Sequence, residues 1–235
     1  MSSKRLNYWE TAFFLFVIAI AAFILVRSPL FEIQALVVKG NRLLTKEEIC
    51  AAAAIVKGTH IFKTKLAAAE KRVEALPLVK DAEVHRDLPS TVVISVRERQ
   101  PLALVYIDGA FWEVDEEGIP LRKAELISQE LPVITGITVD QPDFNRLLEV
   151  ASAVPTELRT ELSEIHINAD DEISVFTIDG IEVRLGQAEA LENQILVMRE
   201  VLRQIRQNGQ RVLYIDLVDP DDAVIKYQGG GEIAH

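Results

Sequence analysis

Between residues 31 and 99 the hydrophobic period shifts from two to about 3.6 and back to two, which restricts this stretch to a small mixed αβ module. Phe31 to Val38 (FEIQALVV) has β-type residues and ends at Lys39-Gly40-Asn41, a turn signal. Thr45-Lys46-Glu47-Glu48 spells a capping box: the threonine hydroxyl accepts from the Glu48 amide, and the Glu48 carboxylate reaches back. The helix it opens puts Ile49, Ala52, Ala53 and Val56 on one face and meets Gly58 at its end. A second helix near Lys65 to Leu76 carries Leu66, Ala69, Val73 and Leu76 on one stripe, and Pro77 stops it. Val79 to Arg86 reads as a short strand and Leu88-Pro89-Ser90 as a turn. Thr91 to Val96 alternates, with Val92, Ile94 and Val96 on one side. The order β-α-α-β-β predicts two helices laid across three strands.

The run Thr11 to Val26 (TAFFLFVIAIAAFILV) just upstream contains no charged residue. At helical rise it covers about 24 Å, slightly less than a hydrocarbon layer of roughly 30 Å. Leu6, Tyr8 and Trp9 before it, and Leu30 and Phe31 after it, supply the missing length. A cleaved signal peptide also has a basic start and a short apolar stretch. Val26-Arg27-Ser28-Pro29, however, offers no small-x-small cleavage site, and Pro29 stiffens the exit. The reading is an uncleaved transmembrane helix over residues 11–30, in contact with the lipid bilayer. Lys4 and Arg5 then put a tail of residues 1–10 in the cytosol, and everything after residue 30 outside the inner membrane.

The chain carries a formal net charge of −11, and its first thirty residues are net positive, so the exported part is more acidic still. An acidic exterior disfavours nucleic acid, whose phosphates need a basic face. The single cysteine, Cys50, excludes an intramolecular disulfide or a zinc cluster and reads as a small buried apolar residue.

After Arg99-Gln100-Pro101 the grammar changes. Leu102 to Ile107 and Phe111 to Val114 are strands joined at the hairpin dipeptide Asp108-Gly109. Another turn falls at Glu117-Gly118, and Ala124 to Pro142 is irregular. Asn145 to Ala153 forms a helix that Pro155 ends. Short strands follow at Glu164 to Asn168, Ile173 to Ile178 and Ile181 to Leu185. Gln187 to Gln207 is the strongest helix, with Leu191, Ile195, Met198, Leu202 and Ile205 repeating at four and three. Arg211 to Val218 and Ala223 to Tyr227 are the last strands, and residues 229–235 form a flexible glycine-led tail.

No chemistry of catalysis stands out. The acidic doublets lack the spaced ligands of a calcium loop and sit where turns want aspartate. His60, His85, His166 and His235 are scattered, without metal-ligand spacing. His166 among acidic residues lies in an alternating strand and reads as a surface side chain. The expectation is no enzyme, no cofactor and no metal.

Several blocks together resemble the FtsQ/DivIB family of bacterial cell-division proteins. They are Val38-Lys39-Gly40-Asn41, Thr45 to Ile49, Gly58 to Phe62, Leu78 to Val84 with Arg86 and Pro89, and Val92 to Pro101. Trp112 to Gly118, Val183 to Gly186, the long helix and Val212 to Tyr227 extend the likeness. Leu88 departs from it, standing where many members have an aromatic residue, and Asn193-Gln194 replaces a commonly basic spot. The resemblance implies an α+β protein: an N-terminal transmembrane helix, a POTRA domain over 31–99, then a mostly β domain over 100–228 with one long helix packed on its sheet.

It further implies a non-enzymatic scaffold at the division septum. Its partners would be bitopic proteins similar to FtsB/DivIC and FtsL, with contacts to the septal peptidoglycan synthases. The alternative is a POTRA-type receptor or chaperone for exported or outer-membrane polypeptides. The expected docking site is the terminal hairpin: Leu217, Val218, Asp219, Ala223, Val224, Ile225, Lys226 and Tyr227. Nothing is expected to pair beyond its last strand, leaving an edge open to β-augmentation. A second candidate edge is Glu83, Val84, His85 and Arg86, crowded by charge as a protected edge would be.

Overall fold

A computed structural model describes residues 8–26, 28–124, 130–228 and 232–234. The basic residues Lys4 and Arg5, on which the expected orientation rests, lie outside the described residues. The chain divides into two compact units, Met1–Glu98 and Arg99–His235.

The first unit opens with helix α1, Tyr8–Val26. Large apolar side chains on it face outward, among them Phe13 at 67% exposure. The expected element over residues 11–30 is shortened at its end, because Pro29–Phe31 forms a separate 3-10 turn capped by Ser28, whose Oγ accepts from Leu30 N. Among the described residues no helix is long and apolar enough to cross a membrane.

Strand β1 (Ala35–Lys39), helices α2 (Lys46–Ala53) and α3 (Leu66–Glu74), and strands β2 (Val79–Asp87) and β3 (Thr91–Glu98) follow in the expected order. β3 is central, parallel to β1 and antiparallel to β2. Parallel neighbours cannot be joined by a tight turn, so the chain between β1 and the hairpin crosses over through α2 and α3. These helices bury Ile49, Ala53, Ala69 and Val73 against Val92, Ile94 and Val96. The Thr45 capping box forms with both its bonds. The left-handed residue closing α2 is Ala54 (φ 49), not Gly58, and its N–H bonds to the Cys50 and Ala51 carbonyls. Cys50 is half-buried, which raises its thiol pKa by desolvation. Gly40 has φ +84, and a Cβ there would lie 2.1 Å from Val96 O, so only glycine lets the chain leave β1 so close to β3.

The second unit begins with the hairpin β4 (Ala103–Ile107) and β5 (Ala110–Val114). Asp108 and Gly109 both have positive φ, the primed turn that suits strand twist. Then come β6 (Pro120–Lys123), β7 (Val133–Thr135), α4 (Phe144–Ala153), α5 (Thr156–Arg159), β8 (Leu162–Ile167), β9 (Ile173–Thr177) and β10 (Glu182–Gly186). The unit closes with α6 (Leu191–Asn208), β11 (Val212–Asp216), β12 (Val224–Tyr227) and β13 (Glu232–Ala234). All ten strands join one sheet, in the order β13-β12-β11-β10-β9-β8-β7-β4-β5-β6.

Three differences from the sequence reading matter. The segment read as irregular contains β7, which is parallel to both β4 and β8 and joins the two halves of the sheet. The long helix starts at Leu191, because Ala188 takes a left-handed conformation (φ 56) and bends the chain first. Most important here, the range 229–235 is not all tail: Glu232–Ala234 pairs antiparallel with β12, so the last strand has a neighbour after all.

Helix α6 is the crossover between parallel strands β10 and β11. Its Ile195, Met198, Leu202 and Ile205 pack with Leu147, Leu148 and Ala151 of α4 against Ile165, Val175, Val183, Ile215 and Ile225. This one-sided core fixes which residues of the terminal strands are left for a partner.

Candidate interaction site at the C-terminal sheet edge

Gly209 (φ 62) ends α6 in the left-handed conformation and turns the chain into β11. Two aspartates then shape the loop to β12: Asp216 Oδ1 accepts from Val218 N (3.1 Å), and Asp219 Oδ1 accepts from Asp221 N (3.0 Å). These are turns in which a side chain replaces a backbone acceptor, and they explain the acidic cluster without a ligand. β12 pairs with β11 in the register Tyr214↔Lys226, Ile215↔Ile225, Asp216↔Val224.

Alternation on β12 holds as read from the sequence. Ala223 and Ile225 are buried in the core, whereas Val224 and Lys226 lie half-buried on the open face. Tyr227 packs partly against the core. Val218 projects at 57% exposure, and Asp219 is exposed. Leu217 is fully buried, its N–H donating to Arg184 O (2.8 Å), so no partner can touch its side chain. The expected site therefore reduces to Val218, Asp219, Val224, Lys226 and the rim of Tyr227, with the β12 backbone paired to β11 on one side and to β13 on the other.

Two residues central to this site lie outside the set that the sequence assigns to it. Gln194, fully buried on α6, donates through Nε2 to Leu185 O (2.9 Å) and Leu217 O (2.7 Å), tying the ends of β10 and β11 together. Its Oε1 has no hydrogen-bond partner. The signal was available: position 194 falls three after Leu191 and four before Met198, a polar residue on the apolar stripe. Arg184 is the second. Its guanidinium lies 4.1 Å from the centroid of the Tyr214 ring and grips Glu182 with two bonds (2.9 and 3.1 Å). The hydrogen bond to Glu182 holds its pKa above the usual arginine value. Tyr214 is also the cross-strand neighbour of Lys226, so the open face beside β12 presents an aromatic ring with basic residues on two strands.

The second candidate edge is already engaged within its own unit. Val84 N donates to Glu70 Oε2 of α3 (3.0 Å). Successive amides of a strand point in opposite directions, so the Glu83 N–H faces β3. Arg86 donates to Ile61 O (2.9 Å) and Thr64 O (3.0 Å), anchoring the loop before α3. His85 and Glu83 are exposed and 3.8 Å apart.

One cluster has the ingredients of nucleophilic catalysis. The Thr135 hydroxyl bonds to Glu164 and lies 2.7 Å from His166 Nδ1. Glu164 approaches that same ring nitrogen (3.6 Å), whereas a working triad needs the acid on one imidazole nitrogen and the nucleophile on the other. His166 thus serves as a cross-strand partner of β7. Among the described residues, no group of three or more His, Cys, Asp or Glu could hold a metal.

By fold, then, the first unit is a β-α-α-β-β module of the POTRA class, and the second is an open mixed sheet with helices on one face. The description "POTRA domain, FtsQ-type" matches residues 31–99, and "Cell division protein FtsQ/DivIB, C-terminal" matches residues 103–217. Cell division protein DivIB of Geobacillus kaustophilus is 30% identical over 188 residues, 77% of this chain and 70% of that protein. FtsQ of Syntrophotalea carbinolica is 28% identical over 231 residues (91% and 81%), and FtsQ of Myxococcus fulvus 28% over 208 (83% and 71%). The chain belongs to the FtsQ/DivIB family of bacterial cell-division proteins.

Proposed function

We propose that this division protein works as a scaffold without catalytic activity, held in the cytoplasmic membrane through α1. Its outer β unit receives an extended segment of a bitopic division protein similar to FtsB/DivIC, assembled with an FtsL-like protein and in reach of the septal peptidoglycan synthases. The outward-facing apolar residues of α1 support the anchor, since side chains such as Phe13, Phe16 and Ile18 need a non-aqueous environment.

The observation that carries the docking reading is β12. Its core face is committed, its outer backbone edge is met by the three-residue β13, and Val224 and Lys226 lie half-buried on the open face. Backbone pairing supplies affinity there, and side chains on the open face supply selectivity. Removing residues 223–235 would strip Ala223 and Ile225 from the core, so a milder change is the better probe.

In a chain ending at Gln228, Lys226→Glu should weaken binding of the partner's extracytoplasmic segment about tenfold, with the thermal transition unmoved. Unchanged affinity would argue against the site. Depletion of the protein should give filaments with unfinished septa. Cells of normal length that lose outer-membrane proteins would favour the receptor reading instead.

A further inference from the structure

The edge that the docking reading requires already has an occupant. β13 runs antiparallel to β12 with Val224↔Ala234, Ile225↔Ile233 and Lys226↔Glu232 opposed. We propose that Glu232–Ala234 is a self-supplied ligand of the β12 edge, a placeholder strand that a partner must displace. This inference rests on the docking reading above.

The features that make the occupant exchangeable are local. β13 has three residues, against five in β11 on the other side of β12, so few backbone bonds hold it. Gln228 N donates to Arg211 O (2.8 Å), which fixes the far end of β12 to β11 independently of β13. The sequence then supplies three consecutive glycines, Gly229 to Gly231, before the strand resumes. β12 can therefore stay in the sheet while its outer neighbour changes.

The placeholder also defines what can replace it. A competing segment runs antiparallel to β12, places a β-former opposite Ile225, and carries an acidic residue opposite Lys226, as Glu232-Ile233 does. An edge kept paired in this way is shielded from fortuitous strand addition until a better-matched segment arrives. If the placeholder occupies the edge nine-tenths of the time, the partner's apparent affinity is about tenfold weaker than its intrinsic one.

The test uses the full chain, a chain ending at Gln228, and Ile233→Pro, which keeps the tail but removes its central donor. In both altered chains the β12 amides that point away from β11 should exchange about tenfold faster, while Val183 and Ile215 stay protected. The partner segment of the docking assay should bind both about tenfold tighter. Equal exchange in all three chains overturns the proposal. Faster exchange with equal affinity, and with the bound partner protecting β12, overturns self-occlusion alone. A partner that binds without protecting any β12 amide overturns the docking reading itself, and self-occlusion with it.

Discussion

Glu98 shows how one carboxylate holds the POTRA unit together. It is buried at the end of β3 and accepts from the amides of Arg42 (3.0 Å), Leu43 (2.7 Å) and Leu44 (3.0 Å), closing the loop that leads into α2. Burial alone would raise its pKa, but the amides of Leu43, Leu44 and Arg42 outweigh it and hold the group below the ordinary value of 4.5. A depressed carboxylate stabilises the fold above its unfolded pKa and loses that contribution as pH falls through the folded one. Glu98→Gln should therefore cost about 2 kcal/mol at pH 7, read by amide exchange at Ile94. The gap between the two proteins should narrow steadily below about pH 4.5. Gln194 makes the same argument for the β unit. Gln194→Leu strands the Leu185 and Leu217 carbonyls and should cost about 1–3 kcal/mol in urea denaturation. Gln194→Glu should cost more, since it sets a carboxylate against both acceptors.

At the scale of elements, the sheet depends on its shortest internal strand. β7 has three residues and meets β4 in a single register pair, Leu104↔Val133, yet it joins the β4–β5–β6 side to the rest. Gly136, just after it, has φ +82, and a Cβ there would lie 1.9 Å from Ile167 O. Gly136→Ala should lower stability by about 3 kcal/mol or more and release the β7 and β8 amides to exchange. Such a strand is close to unreadable in sequence: Val133-Ile134-Thr135 is too short to display a period, and Pro132 before it signals a break. β6 is hidden for a related reason, since it begins with Pro120, tolerable only because the strand is an edge. The long elements were legible because their patterns repeat: the α6 stripe, the Thr45 box and the Asp108-Gly109 hairpin each state a local rule that the packing obeys. The site was half legible. Alternation separated Val224 and Lys226 from Ala223 and Ile225, but no local pattern could tell that Leu217 is sealed by Arg184 and Gln194, or that Glu232–Ala234 returns to the edge.

For the molecule as a whole, the two units use their chemistry differently. In the POTRA unit, the amide of Val84 and the side chain of Arg86 at the β2 edge are engaged by α3 and its preceding loop. In the β unit, the β12 edge is met by a three-residue strand of the chain's own C-terminal segment, and the face beside it offers Lys226, Tyr214 and Val218. The central claim is that the division partner docks there. Photo-cross-linking in dividing cells tests it most directly, with the reactive residue placed in turn at Val218, Lys226 and Glu83. The account predicts capture of a small bitopic division protein from positions 218 and 226 and none from position 83. Capture from position 83 alone, with the full chain at the septum, would contradict it.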